Sequence, residues 1–267
     1  MVKGDVMKRF RRVIPVIAAA VMMITGCGND QGVEVPSVIS DGVITVGLLN
    51  TNDRSCYPVT DEEGEIQYAG WEIEVLNLID HYNENATIEI KMVDSREMLL
   101  NMLSSGEVDL AAGAFTRIDS YSQQYSISAD YGYGSIYLIN PRNGYLDTLA
   151  AFEDEVIGVS TQLSVNDVNR LKGIENVTQN QYSDMNLFAS DIENGIVAAG
   201  ICTESEMVSI VSGRNLQACE MRSGSQPSLV FLTMPGQDKL MEWVNWGIDR
   251  HYYEMAAGID STKEEEN

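Results

Sequence analysis

Residues Leu99 to Tyr131 read LLNMLSSGEVDLAAGAFTRIDSYSQQYSISADY. The stretch divides into a helix entered at Arg96 and running to Ser104, a glycine stop at Gly106, an apolar strand over Val108 to Gly113 and a polar loop. Glycine just past a helix supplies the left-handed residue that ends it. A loop leaving the carboxyl end of a buried strand is where open α/β sheets bind ligands. The rest of the chain can be read by whether it builds a small-molecule cleft around that loop.

Upstream, Val43 to Leu49 is a short β-branched run of the kind expected of a buried strand. Asn50 to Gly70 is a polar loop containing Tyr57, Pro58 and the turn Asp61-Glu62-Glu63-Gly64. Trp71 to about Tyr82 has helical apolar spacing, and Thr87 to Val93 alternates as a strand does. Downstream, strands are expected at Ser135 to Ile139, Val156 to Val159, Ile196 to Cys202 and Ser228 to Leu232. Pro141 to Gly144 is a turn. Helices are expected from Ser164 to about Leu171, over Met185 to Glu193 with Gly195 as its stop, and from Gln237 to Tyr253 with Leu240, Val244, Ile248 and Tyr252 on one face. Repeated β-α-β order implies an α/β fold with a parallel sheet covered by helices. Ser104 to Gly113 (SSGEVDLAAG) is echoed by Ile192 to Ile201 (IENGIVAAGI), which points to two similar lobes.

The N-terminus carries an address. Lys3, Lys8, Arg9, Arg11 and Arg12 precede an apolar run, Val13 to Met23, too short for the roughly 20 residues of a membrane span. Ile24-Thr25-Gly26-Cys27 then resembles a bacterial lipobox, with residues 1–26 removed as a signal peptide and Cys27 lipidated. Residues 27–41 form a polar tether, and 261–267 a charged, disordered tail. Residues 1–26 hold five of the 17 basic residues and one of the 40 acids, so the remainder has a formal charge of about −27. Such a surface repels nucleic acid and excludes it as a partner. Cys56, Cys202 and Cys219 allow at most one internal bridge; Cys202 and Cys219 are the plausible pair, or else two small buried hydrophobes. No metal-ligand spacing exists, and nothing calls for a cofactor.

Four places together resemble the extracellular solute-binding proteins of family 3: Gly42-Val43-Ile44-Thr45-Val46-Gly47, Tyr57-Pro58 followed by Gly70-Trp71-Glu72-Ile73-Glu74, Ser105 to Gly113, and Glu193 to Val197. The resemblance implies a two-lobed periplasmic-binding-protein-like fold (type II) with the ligand cleft between lobes. Residues 42–134 and 227–260 would form lobe one and 135–226 lobe two. It also implies hinge closure on a small polar solute, delivery to an ABC permease, a monomer, and a lipid-anchored place outside the cytoplasmic membrane or in the periplasm. The cleft would be read by a membrane receptor in a sensory variant of this role; an enzyme on the same fold is the third class.

In the family a hydroxyl after the strand glycine and an arginine a few residues on clamp a ligand α-carboxylate, for which the planar guanidinium suits. Here the glycine is Gly113 and the hydroxyl Thr116, but Asp119-Ser120 stands at the arginine's place. Arg117 either substitutes for it or is a solvated loop arginine. Thr203 occupies the position of the aspartate for the α-amino group, with Glu204 next along as an alternative or an exposed acid. Gln162 and Leu163 replace a glycine-threonine pair, leaving Thr161 and Ser164 to offer hydroxyls. Tyr57 is the expected aromatic wall of the site. Trp71 is expected in the core.

Overall fold

The computed structural model describes residues 42–258 apart from 62–63, 83–85, 143–146 and 222–225. The signal peptide, Cys27, the tether and the charged tail lie outside the described residues. In chain order the first group of elements is β1 (Val43–Leu49), β2 (Tyr57–Thr60), β3 (Ile66–Ala69), α1 (Trp71–Tyr82), β4 (Thr87–Val93), α2 (Arg96–Ser105), β5 (Leu110–Thr116), α3 (Asp119–Ser122), β6 (Ser126–Ile127) and β7 (Gly132–Tyr133). A second group follows: β8 (Ile136–Pro141), β9 (Val156–Ser160), α4 (Val165–Asn169), β10 (Thr178–Tyr182), α5 (Met185–Glu193), β11 (Ala199–Thr203), α6 (Glu204–Val211) and β12 (Leu216–Glu220). Then β13 (Ser228–Thr233) and α7 (Asp238–Ala257) return to the first group.

Two sheets result, ordered β4-β1-β5-β13-β6 with β7 also on β13, and β10-β9-β11-β8-β12. The chain crosses between them after β7 and again before β13, so each lobe has its own sheet. Both faces of the first sheet are covered. On one, α1 and α7 bury Ile73, Leu76, Ile79, Leu240, Val244 and Ile248 against β1 and β5; on the other, α2 brings Leu99 and Leu103 onto Val108, Phe115 and Val230. The second sheet is likewise covered on both faces, by Leu149, Val168 and Leu171 on one side and Phe188 and Ile192 on the other. Burying one such aliphatic or aromatic side chain stabilises by roughly 1.5–3 kcal/mol.

Local chemistry sets the helix ends. Ser95 caps α2 by accepting from the Met98 amide at 3.2 Å, and Gly106 closes it at φ 75°. Asp184 caps α5 through the Asn186 and Leu187 amides. Small residues set the helix-to-sheet distance: a Cβ on Gly47 would lie 2.3 Å from Leu99 Cδ1, and one on Gly200 would lie 2.2 Å from Phe188 Cζ.

Several expectations need correction. The sheets are mixed, because β13 runs antiparallel to β5 and β8 antiparallel to β11. The loop expected at Asn50 to Gly70 contains the β2–β3 hairpin, and β10 and β12 were not foreseen. The strand expected from Val108 is shifted to Leu110–Thr116. The buried stripe of α7 continues through His251 to Glu254 rather than through Tyr252, which is 41% exposed. The Cys202–Cys219 bridge does not form, and all three thiols are free. Cys202 pairs with Tyr137 and Cys219 with Leu138, on opposite edges of β8. Two strand spacings of about 4.8 Å exceed the roughly 7 Å limit between bridged Cα atoms, and successive residues of β8 face opposite ways.

Candidate functional site

Between the two lobes lies a narrow gap that encloses about 10 Å³, room for about one water. The first lobe lines it with Asp53, Arg54, Ser55, Trp71, Ala114 and Thr116, the second with Thr203, Glu204 and Ser205, and the crossovers with Tyr133, Gly134 and Pro227. That space is far below the roughly 300 Å³ at which small-ligand pockets begin.

Its first wall is the loop after β1. The Asp53 carboxylate accepts from Thr51 Oγ1 and the Ser55 amide, both at 2.7 Å, which turns the chain sharply. The carbonyls of Arg54 and Ser55 then accept from the Trp71 and Glu72 amides at 3.0 and 3.1 Å, fastening the loop to the start of α1. Gly70 makes this approach possible: at φ 125°, a Cβ there would lie 2.4 Å from the Ser55 carbonyl oxygen. With its backbone held, Arg54 projects across the gap. Its NH2 group donates to Glu204 Oε2 at 2.8 Å and to Ser135 Oγ at 3.1 Å, and its guanidinium carbon sits 5.2 Å from the Trp71 ring centroid. Ser135 donates in turn to Glu220 at 2.8 Å.

Beneath the floor, Glu72 is fully buried. Its Oε1 accepts from the Gly113 and Ala114 amides, both at 2.9 Å, and from Tyr131 OH at 2.6 Å. Among the described residues Oε2 has no hydrogen-bond partner. Burial pushes this carboxyl up to about 7, while the bonds from Tyr131 and the two amides hold it back from rising further. Ala114 takes φ 48°, an uncommon conformation for a residue with a side chain. It points both amides at one carboxyl oxygen.

The second wall is the N-terminus of α6. Glu206 accepts from the Thr203 amide at 3.1 Å and its hydroxyl at 3.0 Å on Oε2, and from Ser160 Oγ at 2.7 Å on Oε1. This capping box fixes the turn that presents Glu204. A further bridge crosses between the lobes at Gln162. Thr116 Oγ1 donates to its carbonyl, and Tyr121 OH donates to its side-chain oxygen at 2.9 Å.

Of the residues singled out in the sequence, the structure brings Thr116, Thr203 and Glu204 to the gap. Gly113 lies under the floor, its amide engaged by Glu72. Arg117 is turned back on its own lobe, bonded to Asp130 Oδ1 at 2.9 and 2.6 Å and to the Ser128 carbonyl at 2.6 Å. Ser120 is exposed on α3, and Thr161 is exposed with its amide on the Tyr182 carbonyl. Ser164 caps α4, its hydroxyl shared with Asp167. Tyr57 belongs to the β2–β3 hairpin and does not line the gap. Trp71, expected in the core, packs against the first-lobe core and also forms a wall of the gap. Arg54 and Glu72 were not anticipated. The one sequence signal for Arg54 is its position a few residues beyond the carboxyl end of β1.

The profile of bacterial extracellular solute-binding proteins, family 3, matches residues 44–256. The chain belongs to this family. Solved structures of similar fold include an amino acid ABC transporter substrate-binding protein from Streptococcus pneumoniae bound to L-arginine, at 18% identity and TM-score 0.57, over 83% of this chain and 92% of that one. An ancestral arginine-binding protein bound to glutamine matches at 16% identity and TM-score 0.56, over 81% and 95%. An ancestral amino acid-binding protein described as a precursor of cyclohexadienyl dehydratase matches at 12% identity and TM-score 0.55, over 84% and 96%. At these identities the likeness is one of fold. No curated protein matches the sequence. Like the rest of the family, this solute-binding protein has two lobes whose facing surfaces make the cleft. Among its described residues no helix is long and apolar enough to cross a membrane, and no three His, Cys, Asp or Glu side chains converge as metal ligands would.

Proposed function

We propose that this chain is a lipid-anchored extracytoplasmic solute-binding protein that captures a small polar solute, an amino acid or a related compound, for an ABC importer. The observation that carries the reading is that the gap is lined from both sheets, by Thr116 and Trp71 on one side and Thr203 and Glu204 on the other. A solute held there bridges two bodies joined by two crossovers, so binding favours the closed arrangement by the difference in contacts it makes in the two states. In this reading residues 42–134 and 227–260 act as one lobe and 135–226 as the other. Cys27 supplies the lipid anchor on the outer face of the membrane, and the protein works as a monomer.

The cleft is read as a binder and not as a catalyst. Its Glu204 carboxylate is paired with Arg54, and Glu72, the carboxyl whose affinity for protons lies near neutrality, is sealed beneath the floor. One observation favours a sensory variant, in which a membrane receptor reads the same closure: Asp119-Ser120 stands where the clamp arginine would be, and the alternative arginine, Arg117, is engaged by Asp130.

A thermal-shift panel of amino acids, amines, short peptides and small sugars on the purified protein tests the reading. A solute at 100 times its Kd stabilises the folded state by about 2.7 kcal/mol. At least one member should raise the melting temperature in a saturable way. A panel without any shift would overturn solute capture.

A further inference from the structure

The side chain that fills the cleft is the protein's own. Arg54 leaves the first lobe, lies against the Trp71 ring and ends on Glu204 of the second lobe at 2.8 Å, with Ser135 Oγ at 3.1 Å. Around its one positive charge stand Glu204 and, one hydroxyl away through Ser135, Glu220. An aromatic face, a carboxylate and a hydroxyl at these distances are what a guanidinium or ammonium group requires. With two carboxylates against one cation, a negatively charged solute group at this point would meet further repulsion, whereas a cation would relieve it.

We propose that Arg54 is a tethered occupant of a cation subsite formed by Trp71, Glu204 and Ser135, that it holds the lobes closed when no solute is bound, and that a solute bearing a guanidinium or ammonium group takes its place. This inference rests on the solute-binding reading and names the chemistry of the group recognised. Arg54 is about half exposed, its side chain 49% accessible against 19% for Glu204. The pair is therefore a latch that opens readily, not a lock. An exposed ion pair and an aromatic contact of this kind together shift a two-state equilibrium by roughly tenfold. Exchange for a solute cation is then cheap, because the partner that receives the solute is already oriented by the capping box at Thr203.

The test is small-angle X-ray scattering on the purified wild-type protein and on Arg54→Ala and Glu204→Gln, each checked for folding by circular dichroism. Both substitutions should increase the radius of gyration without any solute. Millimolar methylguanidinium, which supplies the missing group in free form, should return Arg54→Ala toward wild-type dimensions. It should leave Glu204→Gln expanded, since the receiving carboxylate is gone. Wild-type dimensions in Arg54→Ala would overturn the latch. Expansion that methylguanidinium fails to reverse, or reverses equally in Glu204→Gln, would overturn the cation subsite. Scattering without solute reads closure alone, so a negative thermal-shift panel and a negative result here fail separately.

Discussion

Replacing Glu72 by Gln isolates the energetic consequence of burying a carboxyl under the cleft. Glutamine keeps an oxygen able to accept from the Gly113 and Ala114 amides and Tyr131 OH, and removes the titration. In the unfolded chain Glu72 ionises near 4.5; in the folded protein it does so near 7. Between those values the native state holds the proton more often than the unfolded state, so stability falls as pH rises through the window. Below pH 4.5 both states are protonated and the contribution is complete; above about pH 7 it has been lost. Two and a half pH decades at about 1.36 kcal/mol each give about 3 kcal/mol. The assay is urea unfolding of both proteins at several pH values from 4 to 8.5, followed by circular dichroism. The difference, Glu72→Gln minus wild type, should move by about 3 kcal/mol in favour of the variant from the acid end to the alkaline end. Other titrating groups are common to both proteins and cancel. A difference independent of pH, or one favouring wild type at alkaline pH, would refute the assignment. It would mean that the three donors to Oε1 outweigh burial and hold the carboxylate ionised.

Gly200→Ala places a Cβ 2.2 Å from Phe188 Cζ in the second lobe, and overpacking should cost roughly 1–3 kcal/mol in denaturant unfolding; an unchanged midpoint would contradict the packing of α5 on β11. Gly70→Ala puts a Cβ 2.4 Å from the Ser55 carbonyl at φ 125°, so roughly 1–3 kcal/mol of stability should be lost. The same variant should show the expanded scattering envelope of Arg54→Ala, and a compact, stable variant would show that the loop is not held as described. Alkylation followed by mass spectrometry should find Cys56, Cys202 and Cys219 all reduced. In the native protein at neutral pH, Cys219 should react first, because burial pushes the Cys56 thiol up to about 12 and the Cys202 thiol well above its usual range. An oxidised Cys202–Cys219 pair would refute the strand order around β8.

The features legible in the sequence are those whose physics is local. The helix over Trp71 to Tyr82 follows from apolar spacing, and α2 follows from the same spacing together with Gly106, the one residue type that accepts φ 75° without cost. The run Val43 to Leu49 is β-branched and apolar because it lies inside a sheet, and it forms β1 over those residues. Hairpin β2–β3 was hidden because its residues are exposed or half-buried and carry no alternating face, only a turn signal between them. Counting cysteines bounded the number of bridges at one, but two thiols of matching sequence context say nothing about the strand that separates them.

The residues of the cleft divide along the same line. Thr116, Thr203 and Glu204 could be placed through the family resemblance, and they stand at or just past the carboxyl ends of β5 and β11. Arg117 and Arg54 could not be ranked against each other, since both are arginines in polar loops after a strand. Whether such a side chain faces the cleft depends on which acid it meets. Arg117 finds Asp130, 13 positions along the chain in its own lobe, and Arg54 finds Glu204, 150 positions away in the other. Glu72 reads as an ordinary acid in the first turn of a helix, and only the packing of α1 against β5 turns it inward beneath Gly113 and Ala114. The longer helices and the main buried strands were thus determined by sequence, because spacing, caps and turns act over a few residues. The occupant of that cleft was decided by the tertiary structure, because a charge's partner is set by the meeting of surfaces distant in the chain.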